Sequence, residues 1–484
     1  MNDPRAHVVI VGAGITGLTA AHRLLNPLDG SSPSMRVTVI ESSSHIGGKI
    51  RTSPFAGIDG VDEGPDSYLA RVPAAGRLSR ELGLADTLTN PTSAHASVMH
   101  GGLHRIPDGL MMGVPTGALA LARGNLLSWR GKVRAAIEPI LPSSGDHRDS
   151  VGNFVRQRFG REVHELLVDP LVGGIYAADT ANFSLATVPQ LADLAHGRSV
   201  LLTARRRRAT AVASGPVFET PRAGLGALTD ALATSIERRG GTIVTNTMVT
   251  SVRRTGDSYS IDTDSIGTNS IVTGSATIDA DFVVVASPAA MSAPFLRPLS
   301  AELSDLLAPT EHASVVMVTV RATGTALARF EGMSGYLVPK PDQKRVTAAS
   351  FGSNKWAHWR PDDGSMIMRV SLGRDGAPTH DLVHEWDDER LVRQVVDEMR
   401  DHTGVDISPV EHRVTRWEHS FPQYRPGHLE RVAAMESILK SEAPGVLLAG
   451  ASMRGIGIAA CITQAENAAT SVLATVDSTS RLRD

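Results

Sequence analysis

Apolar residues in this chain follow two patterns: short continuous runs rich in β-branched residues, and longer stretches with helical spacing. His7-Val8-Val9-Ile10-Val11 is of the first kind, as expected of a strand buried on both faces. Leu18 to Leu25 then reads as a helix. Arg36-Val37-Thr38-Val39-Ile40 and Phe282-Val283-Val284-Val285-Ala286 repeat the strand pattern, the latter ending at Ser287-Pro288. Gly241–Val244 and Met248–Val252 also read as sheet. Near the end, Gly445–Gly450 reads as a strand, and Ile456-Gly457-Ile458 opens a helical stretch through Val472. Ser314–Val320 and Met366–Leu372 are further strands between.

Two apolar stretches are expected to be neither leader nor anchor. His7 to Ala21 is broken by three glycines and follows Asp3, where a signal peptide carries positive charge. Gly109 to Ala122 has fourteen residues and contains Pro115, whereas a spanning helix needs about 20. The expectation is a soluble, cytoplasmic protein without a transmembrane segment. Its 484 residues exceed one compact domain and predict two or three. A net charge of −3 gives no global sign of nucleic acid binding. The single cysteine, Cys461, rules out an internal disulfide framework and leaves no cysteine cluster for zinc or iron–sulfur. It is expected to be a small buried hydrophobe.

Chemistry enters at the first strand–helix junction. Gly12-Ala13-Gly14-Ile15-Thr16-Gly17 is G-x-G-x-x-G in the strand–turn–helix setting that gives the motif meaning. Gly12 permits the turn, Gly14 lets a pyrophosphate approach the backbone, and Gly17 lets helix and strand pack closely. The phosphates are expected at the helix N-terminus, where unpaired N–H groups and the dipole favour anions. The second strand ends at Glu41, with Ser42 beside it, and a carboxylate there can accept from ribose hydroxyls. Glu41 stands 24 residues after Gly17, against the usual ~20, and the Pro/Gly/Ser-rich Asn26–Ser34 turn accounts for the excess.

Glu41, five residues, Gly47-Gly48, Lys49, then Arg51-Thr52 resembles the FAD signature of the amine oxidase, phytoene desaturase and protoporphyrinogen oxidase superfamily. Gly48 would let the loop run beside the cofactor, and Lys49 or Arg51 would offset phosphate charge. The resemblance implies that Gly450 and the loop to Ile456, Gly457 and Ile458 close the site, a helix N-terminus facing the flavin's pyrimidine edge. It also implies adenine against the backbone of Val249. No second G-x-G-x-x-G follows a strand, which points to flavin reduced by substrate and reoxidised by dioxygen. Cys461 lies inside the closing helix rather than upstream of it, so the FAD is expected to be non-covalent.

Three further blocks resemble the protoporphyrinogen/coproporphyrinogen oxidase branch. Glu63-Gly64-Pro65-Asp66-Ser67-Tyr68-Leu69 is similar to its G-P-D-S block, which runs beside the flavin. Pro170–Asp179, with Gly174, Ile175 and Tyr176, is similar to its block over the substrate side. Trp417–Tyr424 with Gly427-His428 is similar to its P-Q-Y-x-x-G-H block, Trp417 being a flavin neighbour. Asp66 in place of a basic residue favours the soluble branch. The implied reaction takes six electrons from a porphyrinogen in three two-electron steps, each passing a hydride to flavin N5, with hydrogen peroxide as the by-product. The protein supplies orientation, water exclusion and electrostatics, and no catalytic residue is assigned. Transient contact with a ferrochelatase-type partner is a further expectation.

The expected fold is α/β: a discontinuous Rossmann-like FAD-binding domain (1–95, 215–290 and 420–484), a helical cap (96–214) and a mixed α+β substrate domain (291–419), the last providing the cavity floor. Residues 101–210 carry 14 Lys+Arg against 9 Asp+Glu, including Arg156, Arg158 and Arg161 and the run Arg205–Arg208. A basic mouth would favour the four propionates of coproporphyrinogen III over the two of protoporphyrinogen. A solvated basic surface or contact with anionic lipid is the alternative reading. Rival functions are another superfamily enzyme, an amine oxidase or carotenoid desaturase, and a tetrapyrrole-delivery protein with structural FAD.

Overall fold

The computed structural model describes residues 5–31, 34–117, 124–141, 149–210, 215–266 and 274–481, excepting the side chains of 208–210 and 479–481. Asp3, residues 118–122 of the Gly109–Ala122 stretch and the Arg208 side chain therefore lie outside the described residues.

β1 (Ala6–Val11), β2 (Met35–Ile40), β3 (Thr242–Val244), β4 (Phe282–Val285) and β5 (Val446–Leu448) form one parallel sheet in the order β3-β2-β1-β4-β5. The register sets Val8 beside Val37 and Phe282, and Val283 beside Val446. The unbroken apolar run of β1 is explained by its two covered faces. Val8 and Ile10 enter one core, with α1 (Ile15–Leu25); Val9 and Val11 enter another, beneath the antiparallel strands Thr247–Thr255, Ser258–Ser265 and Ser275–Ala280.

The helical cap has its own core, built from Val151–Phe159, a π-helical turn at His164–Val168, α2 (Asp169–Tyr176), Pro189–Ala195 and Val200–Thr210. Among the described residues its first helix begins at Trp129, later than the boundary at 96. The segment from 95 to 105 supplies two strands, His95–Met99 and Leu103–Arg105, to a seven-stranded sheet. That sheet continues through Met333–Leu337, Val346–Ser350, Met366–Leu372 and His312–Thr323 to Ser408–Pro422. The last helix, α3 (Ile458–Arg481), begins two residues after Ile456 and outlasts the stretch to Val472. It lies on α1 through Ala465, Ala468, Ala469 and Val472. Small residues there let the two helices approach closely.

The basic cluster of the cap divides. Arg156 is exposed, and Arg161 pairs outward with Glu165 at 2.6 Å. Arg158 instead is 2 % exposed and binds Glu138, which is fully buried. Glu138 also accepts from the amides of Val200 (2.8 Å) and Leu201 (3.2 Å), so its charge sits at the N-terminus of Val200–Thr210. Arg158 is thus part of the cap's interior rather than of a substrate mouth. Arg205, Arg206 and Arg207 remain exposed, Arg207 pairing with Asp193 at 2.7 Å.

Removing one partner of a buried pair strands the other charge. Glu138→Ala is expected to cost about 3–5 kcal/mol in stability, measured by denaturant unfolding, with Arg161→Ala within about 0.5 kcal/mol of the parent.

Candidate active site

Where β1 meets α1, the chain builds a cavity of about 330 Å³, within the ~300–1,000 Å³ usual for ligand sites. Gly12, Gly14, Ile15 and Thr16 form one wall. α1 has no side-chain cap, so its first-turn N–H groups are left for a ligand. A Cβ on Gly17 would stand 1.9 Å from the Gly12 carbonyl oxygen, so no other residue fits. Ala13 contributes its amide, which donates to Glu41 Oε2 at 2.8 Å; Glu41 Oε1 accepts from the Ser43 amide at 2.9 Å. Glu41 thereby fastens the turn while facing the cavity beside Ser42.

The second glycine loop leans on the first. Gly14 and Gly47 bridge, and Gly48 (φ 59°) lies so near that its Cβ would come within 3.2 Å of the Gly14 Cα. Lys49 lines the cavity; burial pushes its ammonium down to about 8. The cavity also takes in Pro65, Val249, Ile456 and Ile458. Gly450 (φ 116°) turns the chain out of β5, and Gly457 stands between two of the lining residues.

Other predicted positions support the cavity from outside its lining. Arg51, half exposed, pairs with Glu63 at 3.4 Å. Gly64 packs against the Lys49 carbonyl and the Trp417 ring, and Trp417 Nε1 donates to Glu63 O at 3.1 Å. Ser67 donates to Asp66. The Asp66 carboxylate turns to the large sheet, accepting from Lys355 (2.8 Å) and Trp356 Nε1 (3.1 Å) near Arg369 (3.5 Å). Burial alone would raise its pKa; Lys355 and then Arg369 overcome this and hold it well below the usual carboxylate range.

Gly174, Ile175 and Tyr176 end α2 outside the lining of this cavity. Ile175 is 45 % exposed, and Tyr176 packs against Phe183 with ring centroids 4.8 Å apart. Sequence gave no sign of what holds them: Asp169 and Arg374, paired at 2.9 Å, with Arg374 also donating to the Ala178 carbonyl. Thr180 donates to Asp169 and contacts His164 Nε2 at 2.8 Å. Lys340 adds a tie to Asp179 at 2.8 Å. Also unforeseen are Thr247, Met291, Phe295 and Ser452 in the lining. Cys461 is buried as expected but lines the cavity, and burial raises its thiol pKa.

A dipole-polarised helix terminus, a lysine, a carboxylate at the second strand's end and apolar walls match a flavin dinucleotide: anionic centre, ribose hydroxyls and flat rings. Fold and cavity define a dinucleotide-binding flavoprotein. The family described as flavin containing amine oxidoreductase matches residues 15–473. The chain is 33 % identical to the coproporphyrinogen III oxidase of Bacillus subtilis, covering 98 % of this chain and 99 % of that one. It is 33 % identical to that of Propionibacterium freudenreichii, with 96 % and 90 % covered. A crystal structure from Exiguobacterium sp. 255-15, assigned provisionally as a protoporphyrinogen oxidase, superposes with TM-score 0.82 at 27 % identity, covering 98 % and 99 %. Cyclohexylamine oxidase from Brevibacterium oxydans shares the fold, with TM-score 0.67 at 16 % identity and 98 % and 100 % covered. This chain belongs to the flavin containing amine oxidoreductase family, and is an FAD-dependent oxidoreductase.

Glu41→Gln withdraws the charge that the Ala13 and Ser43 amides share, and FAD affinity is expected to fall roughly tenfold, read by titrating apoprotein with FAD. A second expectation concerns Asp62, buried at the end of the strand Ile58–Asp62 and accepting from Thr52 Oγ1 and the Leu225 amide (2.9 Å). Desolvation raises its pKa to about 7. Its stabilising effect is complete below the unfolded value of ~3.9 and is lost as pH rises through about 7. Asp62→Asn should therefore flatten the fall in Tm between about pH 4 and 7, measured by calorimetry.

Proposed function

We propose that this protein oxidises coproporphyrinogen III to coproporphyrin III in haem biosynthesis. What carries the reading is similarity over nearly the full length to coproporphyrinogen III oxidases, in a chain whose cavity suits FAD. The substrate loses six electrons and six protons in three two-electron steps. Bound FAD supplies the electron acceptor, and three dioxygen molecules leave as three hydrogen peroxides.

The chain's own residues bind, orient and shield. The first turn of α1 and Lys49 meet the cofactor's phosphates, and Glu41 its ribose. Ile456 and Ile458 would hold the ring at the N-terminus of α3, with Pro65 in the lining and Trp417 and the rest of the Gly64–Ser67 block supporting it from behind. The Gly174–Tyr176 segment, tied down by Arg374 and Asp169, belongs to the substrate side. FAD is held without a covalent bond: Cys461, the single thiol, is buried against the carbonyls of Gly455 (3.7 Å) and Ile456 (3.8 Å), and its raised pKa disfavours the thiolate.

Selection of the tetra-anionic substrate falls to exposed cap residues such as Arg205–Arg207, since Arg158 is committed to Glu138. Among the described residues no helix is long and apolar enough to cross a membrane. We place the protein in the cytoplasm, passing product to a ferrochelatase-type partner.

Growth of porphyrin fluorescence with each porphyrinogen tests the proposal. A higher kcat/KM for coproporphyrinogen III than for protoporphyrinogen IX, with peroxide released over many turnovers, is expected. Preference for protoporphyrinogen would overturn the substrate assignment. Flavin reduction only by an amine or a carotene would point to a rival enzyme, and tight porphyrin binding without turnover to a delivery protein.

A further inference from the structure

The P-Q-Y-x-x-G-H block does not line the cavity, yet its tyrosine and histidine are almost fully buried: Tyr424 at 0 % and His428 at 2 %. Both reach one short loop, the turn from Gly450 to Gly455 that joins β5 to α3. Tyr424 Oη donates to the carbonyl of Ala451, and His428 Nε2 donates to that of Met453 at 2.7 Å. Their rings stack with centroids 4.3 Å apart at 26°. His428 Nδ1 lies 3.4 Å from Arg431 Nη2, a donor only, which fixes the proton on Nε2.

Peptide planarity gives these two bonds a consequence. In a trans peptide, C=O and the following N–H point in opposite directions. The carbonyl of Met453 faces His428, and the amide of Arg454, on the same peptide, faces away to Gln464 Oε1 at 3.3 Å. By the same geometry, turning the Ala451 carbonyl to Tyr424 turns the Ser452 amide away from Tyr424. Ala451 and Ser452 both line the FAD cavity.

We propose that Tyr424 and His428 are positioning residues of the FAD cradle: Tyr424, by holding the Ala451 carbonyl, aims the Ser452 amide at the cofactor, and His428, by holding the Met453 carbonyl, fixes the next peptide but one of the same loop. The inference rests on the reading of this cavity as the FAD site. Without the tyrosine hydroxyl, the partly buried Ala451 carbonyl loses this donor and the peptide is held less firmly.

FAD release from holoprotein, followed by the fluorescence of freed flavin after dilution, tests this directly. Tyr424→Phe and His428→Ala should each speed release about tenfold, the equivalent of one lost hydrogen bond to the cradle. His428→Gln, which keeps a donor, should restore most of the retention. Tyr336→Phe is the control, since Tyr336 Oη contacts His402 Nδ1 at 3.2 Å in the large sheet's surroundings, and should lower Tm without speeding release. If Tyr424→Phe lowers Tm alike but retains FAD as firmly as the parent, the positioning role is overturned while the cavity stands. If the parent itself purifies without FAD and takes up none, both readings fall.

Discussion

One contact between chain ends carries this molecule: the C-terminal strand–loop–helix laid against the N-terminal one. β5 extends the parallel sheet beside β4, and α3 packs its alanine face on α1. Arg23, 1 % exposed, seals the contact through Glu466 at 3.0 Å and Glu81 at 2.5 Å. Neither end could build the cavity alone. The first supplies a dipole for anions and a carboxylate; the last supplies a second helix terminus facing the same space from the other side. Both helices are long enough, at 11 and 24 residues, for their dipoles to count at their first turns.

Around that contact, the large sheet is fastened by a few polar groups as well as by the apolar cluster of Phe55 and Val61 with Trp356, Trp359 and Ile367. Lys355 and Arg369 reach Asp66, Arg374 reaches Asp169, and Thr415 donates to Glu63 at 3.0 Å. Such groups contribute little net stability once desolvation is counted, but each fixes a direction. The irregularity in Ser408–Pro422 serves the same end. The pairing with His312–Thr323 slips near Ala313, His419 takes φ 44°, and Trp417 emerges against Glu63 and Gly64. Bulges of this type re-aim side chains at functional sites.

Much of the dinucleotide half could be read from sequence because its determinants are local. A strand run, a glycine turn and a helix follow one another within twenty residues, and Glu41 ends the next strand. The remainder depends on pairs far apart in sequence. Asp66 meets Lys355 across 289 residues, and Asp169 meets Arg374 across 205. Nothing near Asp66 marks it as an anchor for the sheet rather than a cofactor neighbour. Arg158 looked like its exposed neighbours because Glu138 lies in another element. The parallel pairing of His95–Met99 with Met333–Leu337 is likewise long-range, so the cap's boundary was drawn too early.

The two ends of the chain enclose one FAD between α1, the Gly47–Lys49 loop and the start of α3. A crystal structure of the FAD complex measures this directly. The adenine is expected beside Val249, the pyrophosphate over the first turn of α1 and the flavin ring at Ile456–Ile458 near Trp417. Density for the flavin ring anywhere outside this cavity, or with the two ends of the dinucleotide exchanged, would contradict it.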